Sequence, residues 1–121
     1  PVALLERNLR GAGRPVDADL VAVDDLDGAT RATRHLLDLG RQRVAVAVAS
    51  PTSSHHDRVA GYLVALHAAA PGRHPVVIHV PDVLAPADAA ARLADEVTAR
   101  RLDGLVCYSD YTAAGLIAEL A

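Results

Sequence analysis

Apolar residues fall along this chain in two alternating rhythms. Short unbroken runs occur at Val2–Leu5, Leu20–Val23, Val44–Ala49, Val76–Val80 and Gly104–Cys107. Each is bounded by polar or turn-forming residues, and each reads as a strand. Val44–Ala49 (VAVAVA) is apolar throughout, which suits a central parallel strand covered on both faces. Between the later runs the period lengthens to that of a helix. Ala29, Ala32, Thr33, Leu36 and Leu37 share one helical face, Asp27 stands at an N-cap position and Gly40 is a stop, so Gly28–Leu39 is predicted helical. Ser53 or Ser54 is expected to cap a second helix with Val59, Tyr62, Leu63 and Leu66 inward, running to about Ala70 before Pro71-Gly72 breaks it. Pro86 suits a first helical turn, and Ala89, Ala90, Leu93 and Val97 form the third helical face. Tyr111–Leu120 reads as a fourth helix.

Strands that alternate with amphipathic helices imply βαβ units with right-handed crossovers. The predicted fold is α/β: a doubly wound, mostly parallel sheet with helices on both faces. The strand at 44–49 is placed at the centre, with 76–80 on one side and 104–107 on the other. Glu6–Asp19 contains Gly11, Gly13 and Pro15 and reads as a connector between two structural units. Residues 1–18 are assigned to the end of one unit plus its linker, and residues 19–121 to a second. The Gly11-Ala12-Gly13 run is followed by Arg and Pro instead of a helix, which makes it a poor phosphate loop.

The chain has 121 residues, 51% hydrophobic and 22% charged, an ordinary globular balance. Its net charge of −3 lacks the basic footprint of a nucleic-acid-binding surface. One cysteine, Cys107, excludes an internal disulfide and reads as a packed thiol. No apolar run approaches a membrane span, and no signal-peptide pattern opens the chain, so a cytoplasmic location is expected. The sequence begins at Pro1 and is expected to be a fragment. With three Tyr, no Phe and no Trp, the core must be built from Val, Leu, Ile and Ala.

Ligands in a doubly wound sheet sit beyond the C-terminal strand ends, where the strand order reverses. Here that point lies between strands 44–49 and 104–107. The loops meeting there offer Ser50, Thr52, Ser53, Ser54, His55, Arg58, Ser109 and Asp110. A guanidinium and a carboxylate can each bind two adjacent hydroxyls. Asp110 also reads as a helix cap, and Arg58 as a solvated first-turn residue. His55-His56-Asp57 does not have metal-ligand spacing, because adjacent helical side chains diverge by about 100°. Asp24, Asp25 and Asp27 lack the spacing of an EF-hand. No nucleophile elbow, Walker loop, dinucleotide fingerprint or zinc spacing is present, and Ser54 and His55 are too close in sequence to act as nucleophile and base with Asp110. An enzyme is not expected, nor a metal, nor a cofactor.

Four segments carry a resemblance. Asp25-Leu26-Asp27-Gly28-Ala29 is similar to D-N-x-x-G-A. His35–Ala45 (HLLDLGRQRVA) follows H-L-L-x-L-G-H-R-x-I-A. Arg58–Tyr62 follows R-x-x-G-Y, and Ser109–Gly115 follows S-D-x-x-A-x-G. In this order and spacing, across nearly the whole chain, they resemble the lac repressor family of bacterial transcriptional regulators. The resemblance implies a periplasmic-binding-protein-like effector domain of two subdomains, with Val2–Leu5 as the last strand of the first. It implies a small polar effector, often a sugar, held by Arg58 and Asp110, with Ser54 and Glu6 also facing the cleft. It implies a homodimer that reaches DNA through an N-terminal helix-turn-helix outside this chain. On that reading Arg58→Ala weakens effector binding and leaves the fold intact. Asp25 replaces the usual Asn, Arg41 the usual His, and Glu6 a more common Asp; no aromatic stands near Asp82-Val83. The alternative is a periplasmic or secreted solute-binding protein of the same fold.

Overall fold

The computed structural model describes residues 2–6 and 17–121. The expected connector with Gly11, Gly13 and Pro15 therefore lies outside the described residues. The elements run β1 (Ala3–Leu5), β2 (Asp19–Val21), α1 (Asp25–Asp38), β3 (Val44–Val48), α2 (Ser53–Ala69), β4 (Val77–His79), α3 (Pro86–Arg100), β5 (Gly104–Val106) and α4 (Asp110–Leu120).

Two parallel sheets form. β3 lies between β4 and β5, with Val46 opposite Val77 on one side and Val44 opposite Gly104 on the other. β1 and β2 pair separately, Leu4 against Leu20. This pairing joins residues from either side of position 18.

All five residues of β3 are buried, as a two-sided strand requires. Its alternation divides the core. Val44, Val46 and Val48 pack with Tyr62 and Leu66 of α2, and with Leu36 and Leu37 of α1. Ala45 and Ala47 point the other way, toward Ala89 and Leu93 of α3 and Leu116 of α4. Helices thus cover both faces of the sheet. The small side chains on the α3/α4 face leave room for close helix approach, and at Gly115 an added Cβ would meet Ala90 Cβ at 2.9 Å.

The other pair of helices, α1 and α2, cross at Gly61. A Cβ there would lie 2.2 Å from the Leu26 carbonyl oxygen, so this contact needs glycine. Tyr62, fully buried beside it, ties β3 to β4: its hydroxyl donates to the Val44 carbonyl and accepts from Val76 N–H, both at 2.9 Å. Burial pushes its pKa up from the ordinary tyrosine value, against a smaller opposing effect of the Val76 N–H.

Several local expectations are corrected. The N-cap of α1 is Asp24, whose Oδ1 accepts the Asp27 N–H at 2.9 Å, so the helix opens three residues earlier than Gly28. Asp27 is instead a first-turn acid, 3.9 Å from Arg31 one turn on. Gly40 does end this helix region, at φ 82°. Neither Ser53 nor Ser54 caps α2. Thr52 holds that position without a side-chain cap bond, and its hydroxyl lies 3.1 Å from Ser54 Oγ. Leu63 faces solvent, and Gly61 and Ala65 take the buried positions. The cap of α4 is Ser109, which accepts the Thr112 N–H, leaving Asp110 as the first helical residue.

Candidate effector site

The C-terminal ends of β3, β4 and β5 open into one cavity of about 510 Å³. Parallel strands with helices returning behind them leave such a crevice at the strand exits. Ser50 enters it from the end of β3, Asp82 from beyond β4, and Tyr108 and Ser109 from beyond β5. Helix α2 contributes Ser54, His55 and Arg58, and α4 contributes Tyr111 and Thr112. Glu6, just past β1, lines the same cavity. Its φ of 65° is left-handed, which is uncommon outside glycine, and its N–H is held by the Val21 carbonyl at 2.8 Å.

Arg58 is held at this site by two different segments. Its Nε donates to Asp25 Oδ1 at 2.8 Å, and the Asp25 side chain is only 7% exposed. One terminal guanidinium nitrogen donates to the Tyr108 carbonyl. The side chain therefore ties α2 to the start of α1 and to the exit of β5. It is half-buried, not a solvated first-turn residue. Removing the guanidinium would strand a buried carboxylate, so Arg58→Ala is expected to cost stability as well as effector binding.

His55 is buried between two of the lining loops. Its Nδ1 lies 3.0 Å from Ser50 N and 2.8 Å from Ser50 O, and its ring sits tilted against Tyr108 at a centroid distance of 5.7 Å. His56, next in sequence, is exposed. Among the described residues no group of three or more His, Cys, Asp or Glu side chains is arranged to hold a metal ion.

Glu6, Ser54 and Arg58 thus share one cavity. Asp110 does not line it. It lines an adjoining hollow of about 360 Å³ with Asp24, Asp25 and the other flank of Arg58. Four polar lining residues were not among the groups singled out from the sequence: Asp82, Tyr108, Tyr111 and Thr112. All four stand within a few residues of a strand exit, which is the signal that could have found them. The two tyrosines supply rings to a cavity whose Asp82 loop has none.

Several solved structures with the same fold are described as transcriptional regulators. CcpA of Lactococcus lactis matches with a TM-score of 0.81 at 24% identity, over 99% of this chain and 42% of its own. The dual regulator Cra from Pseudomonas putida, in complex with fructose 1-phosphate, gives 0.77 at 23% identity, over 99% and 43%. A LacI family regulator from Enterococcus faecium with bound ribose gives 0.74 at 25% identity, over 99% and 42%. The chain spans less than half the length of these proteins. No curated protein sequence matches it. All 121 residues match the profile described as periplasmic binding proteins and sugar binding domain of the LacI family, and the chain belongs to that family.

Proposed function

We propose that this chain is part of the ligand-sensing domain of a bacterial transcriptional regulator, and that it binds a small, hydroxyl-rich effector. The observation that carries the reading is the cavity at the strand exits. Its size is in the range of small-molecule sites, and its polar groups come from several different elements. A guanidinium (Arg58), two carboxylates (Glu6, Asp82) and serine hydroxyls (Ser50, Ser54, Ser109) match the donors and acceptors of a sugar or related polyol. Tyr111, 86% exposed at the cavity, offers an apolar ring face. The effectors bound in the related structures, ribose and fructose 1-phosphate, are of this chemical class.

Arg58 has two of its N–H donors engaged by the protein, so it meets a ligand already oriented. Pre-organisation of this kind lowers the ordering cost of binding. Glu6 closes the cavity from the β1 side, and Ser54 reaches it from the first turn of α2. Asp110, which lines the adjoining hollow, is assigned as a further effector contact by the family pattern. We assign residues 1–18 to the end of a first subdomain and its linker, and the body of the chain to a second, with β2 paired back onto β1. Effector binding shifts the balance between two arrangements of these units to the extent that it favours one. A homodimer carrying DNA-binding domains outside this chain converts that shift into a change in DNA affinity in the cytoplasm.

The test is DNA binding by the full-length protein, read as fluorescence anisotropy on the DNA upstream of its own gene. Adding ribose, cellobiose or fructose 1-phosphate is expected to change the affinity for at least one sugar. A full-length protein that binds these sugars but no DNA would point instead to a solute-binding protein of the same fold. Regulators among the related structures favour the first reading.

A further inference from the structure

A second cavity, of about 260 Å³, lies at the opposite end of the sheet. Its floor is apolar: Val44 at the start of β3, Leu66 of α2, Val76 before β4 and Leu102 after α3. Its rim carries three guanidiniums, from Arg43, Arg73 and Arg100. The length of β3 separates this cavity from the effector cleft, about 15–20 Å at the usual rise per residue.

The three arginines outnumber the two acids beside them, Glu96 and Asp103, in a chain whose net charge is −3. Two of the rim arginines are also tied to backbone: Arg73 donates to the Arg41 carbonyl at 3.4 Å, and Arg43 Nε donates to the Arg101 carbonyl. The acids nearby are already engaged. Asp103 accepts the backbone N–H groups of Gln42 and Arg43, at 2.9 and 2.7 Å, and these bonds hold its carboxyl below the ordinary range. Glu96 pairs with Arg100 Nε. Arg73 reaches Gln42 Oε1 with one nitrogen. Most N–H donors of Arg43 and Arg100 have no acceptor among the described residues. The open N–H donors at the rim are ones an anion can fill.

We propose that this cavity is a binding site for a small organic anion, a carboxylate or phosphate monoester carrying a short apolar body. The guanidinium forks match the oxygens of either head group, and the aliphatic floor takes the apolar part. The volume admits a single-ring or short-chain acid. The site is independent of the effector cleft and of the regulator reading.

The experiment is a methyl-resolved NMR titration of the full chain with phenyl phosphate, with benzyl alcohol and inorganic phosphate as controls. Phenyl phosphate is expected to shift the methyls of Val44, Leu66, Val76 and Leu102 saturably, and more strongly than either control. Raising the salt concentration weakens the effect, because the rim is largely solvent-exposed. Arg73→Gln with Arg100→Gln lowers the affinity at least about tenfold, the loss expected for one charge-assisted hydrogen bond. If the double variant folds poorly, Arg43→Gln alone serves the same purpose. The proposal is overturned if those methyls do not move, if benzyl alcohol moves them equally, if the substitutions leave the affinity unchanged, or if the shifts centre on Arg58.

Discussion

The Asp25–Arg58 pair makes the strongest prediction about how the site is built. Consider Arg58→Met, which keeps the stem and removes the charge. Asp25 Oδ1 loses a donor at 2.8 Å while its side chain stays 7% exposed, and the Tyr108 carbonyl loses a second. Removing one member of a buried ion pair costs about 3–5 kcal/mol, and the partial exposure of Arg58 places this case near about 3 kcal/mol. Asp25→Asn keeps an acceptor and removes the charge, so it costs about 1 kcal/mol. The double variant no longer buries an unpaired carboxylate. It should therefore cost less than the sum, with a coupling energy of about 1–3 kcal/mol. Urea denaturation of the four proteins, followed by circular dichroism, measures the cycle. Additivity within about 0.5 kcal/mol would refute the claim that Arg58 is held by Asp25.

Other predictions test the frame around the site. Gly61→Ala drives a methyl to 2.2 Å from the Leu26 carbonyl, and should destabilise by at least about 1–3 kcal/mol in the same denaturation assay. Tyr62→Phe leaves the Val76 N–H without its acceptor and should cost about 1–3 kcal/mol, without altering the far-ultraviolet spectrum. Burial pushes the Cys107 thiol up to about 11. Its alkylation by iodoacetamide should therefore stay slow up to pH 9 and rise only as pH approaches that value, where free glutathione already reacts rapidly.

The strand–helix alternation was legible because each central element carries one unambiguous period. Val44–Val48 is apolar at every position, and the structure buries every one of them. The parallel order around β3 followed from the same runs. Helix starts were less legible. Three aspartates crowd residues 24–27, and composition alone cannot say which one receives an N–H; the backbone turn selects Asp24. The serines at 53 and 54 are equally good caps by type, yet Thr52, with its extended backbone, takes that position.

The site was half legible. Its location at the strand exits follows from topology, and Ser54, Arg58 and Glu6 do meet there. The tie between Arg58 and Asp25 spans 33 positions and could not be read from local pattern. It also changes what Asp25 means: where a family pattern has Asn, this chain has a carboxylate that fixes its arginine. Asp82 and the two tyrosines were missed because an isolated loop acid or a helix-start tyrosine carries no periodic signal.

The most direct test of the central claim is calorimetry on the full-length protein, titrating ribose, cellobiose and fructose 1-phosphate into wild type and Arg58→Lys. Lysine keeps a charge beside Asp25 but loses the guanidinium fork. The account predicts that at least one sugar binds wild type and that Arg58→Lys, still folded, binds it at least about tenfold more weakly. Undiminished binding to the lysine variant, or no binding of any of the three to wild type, would contradict it.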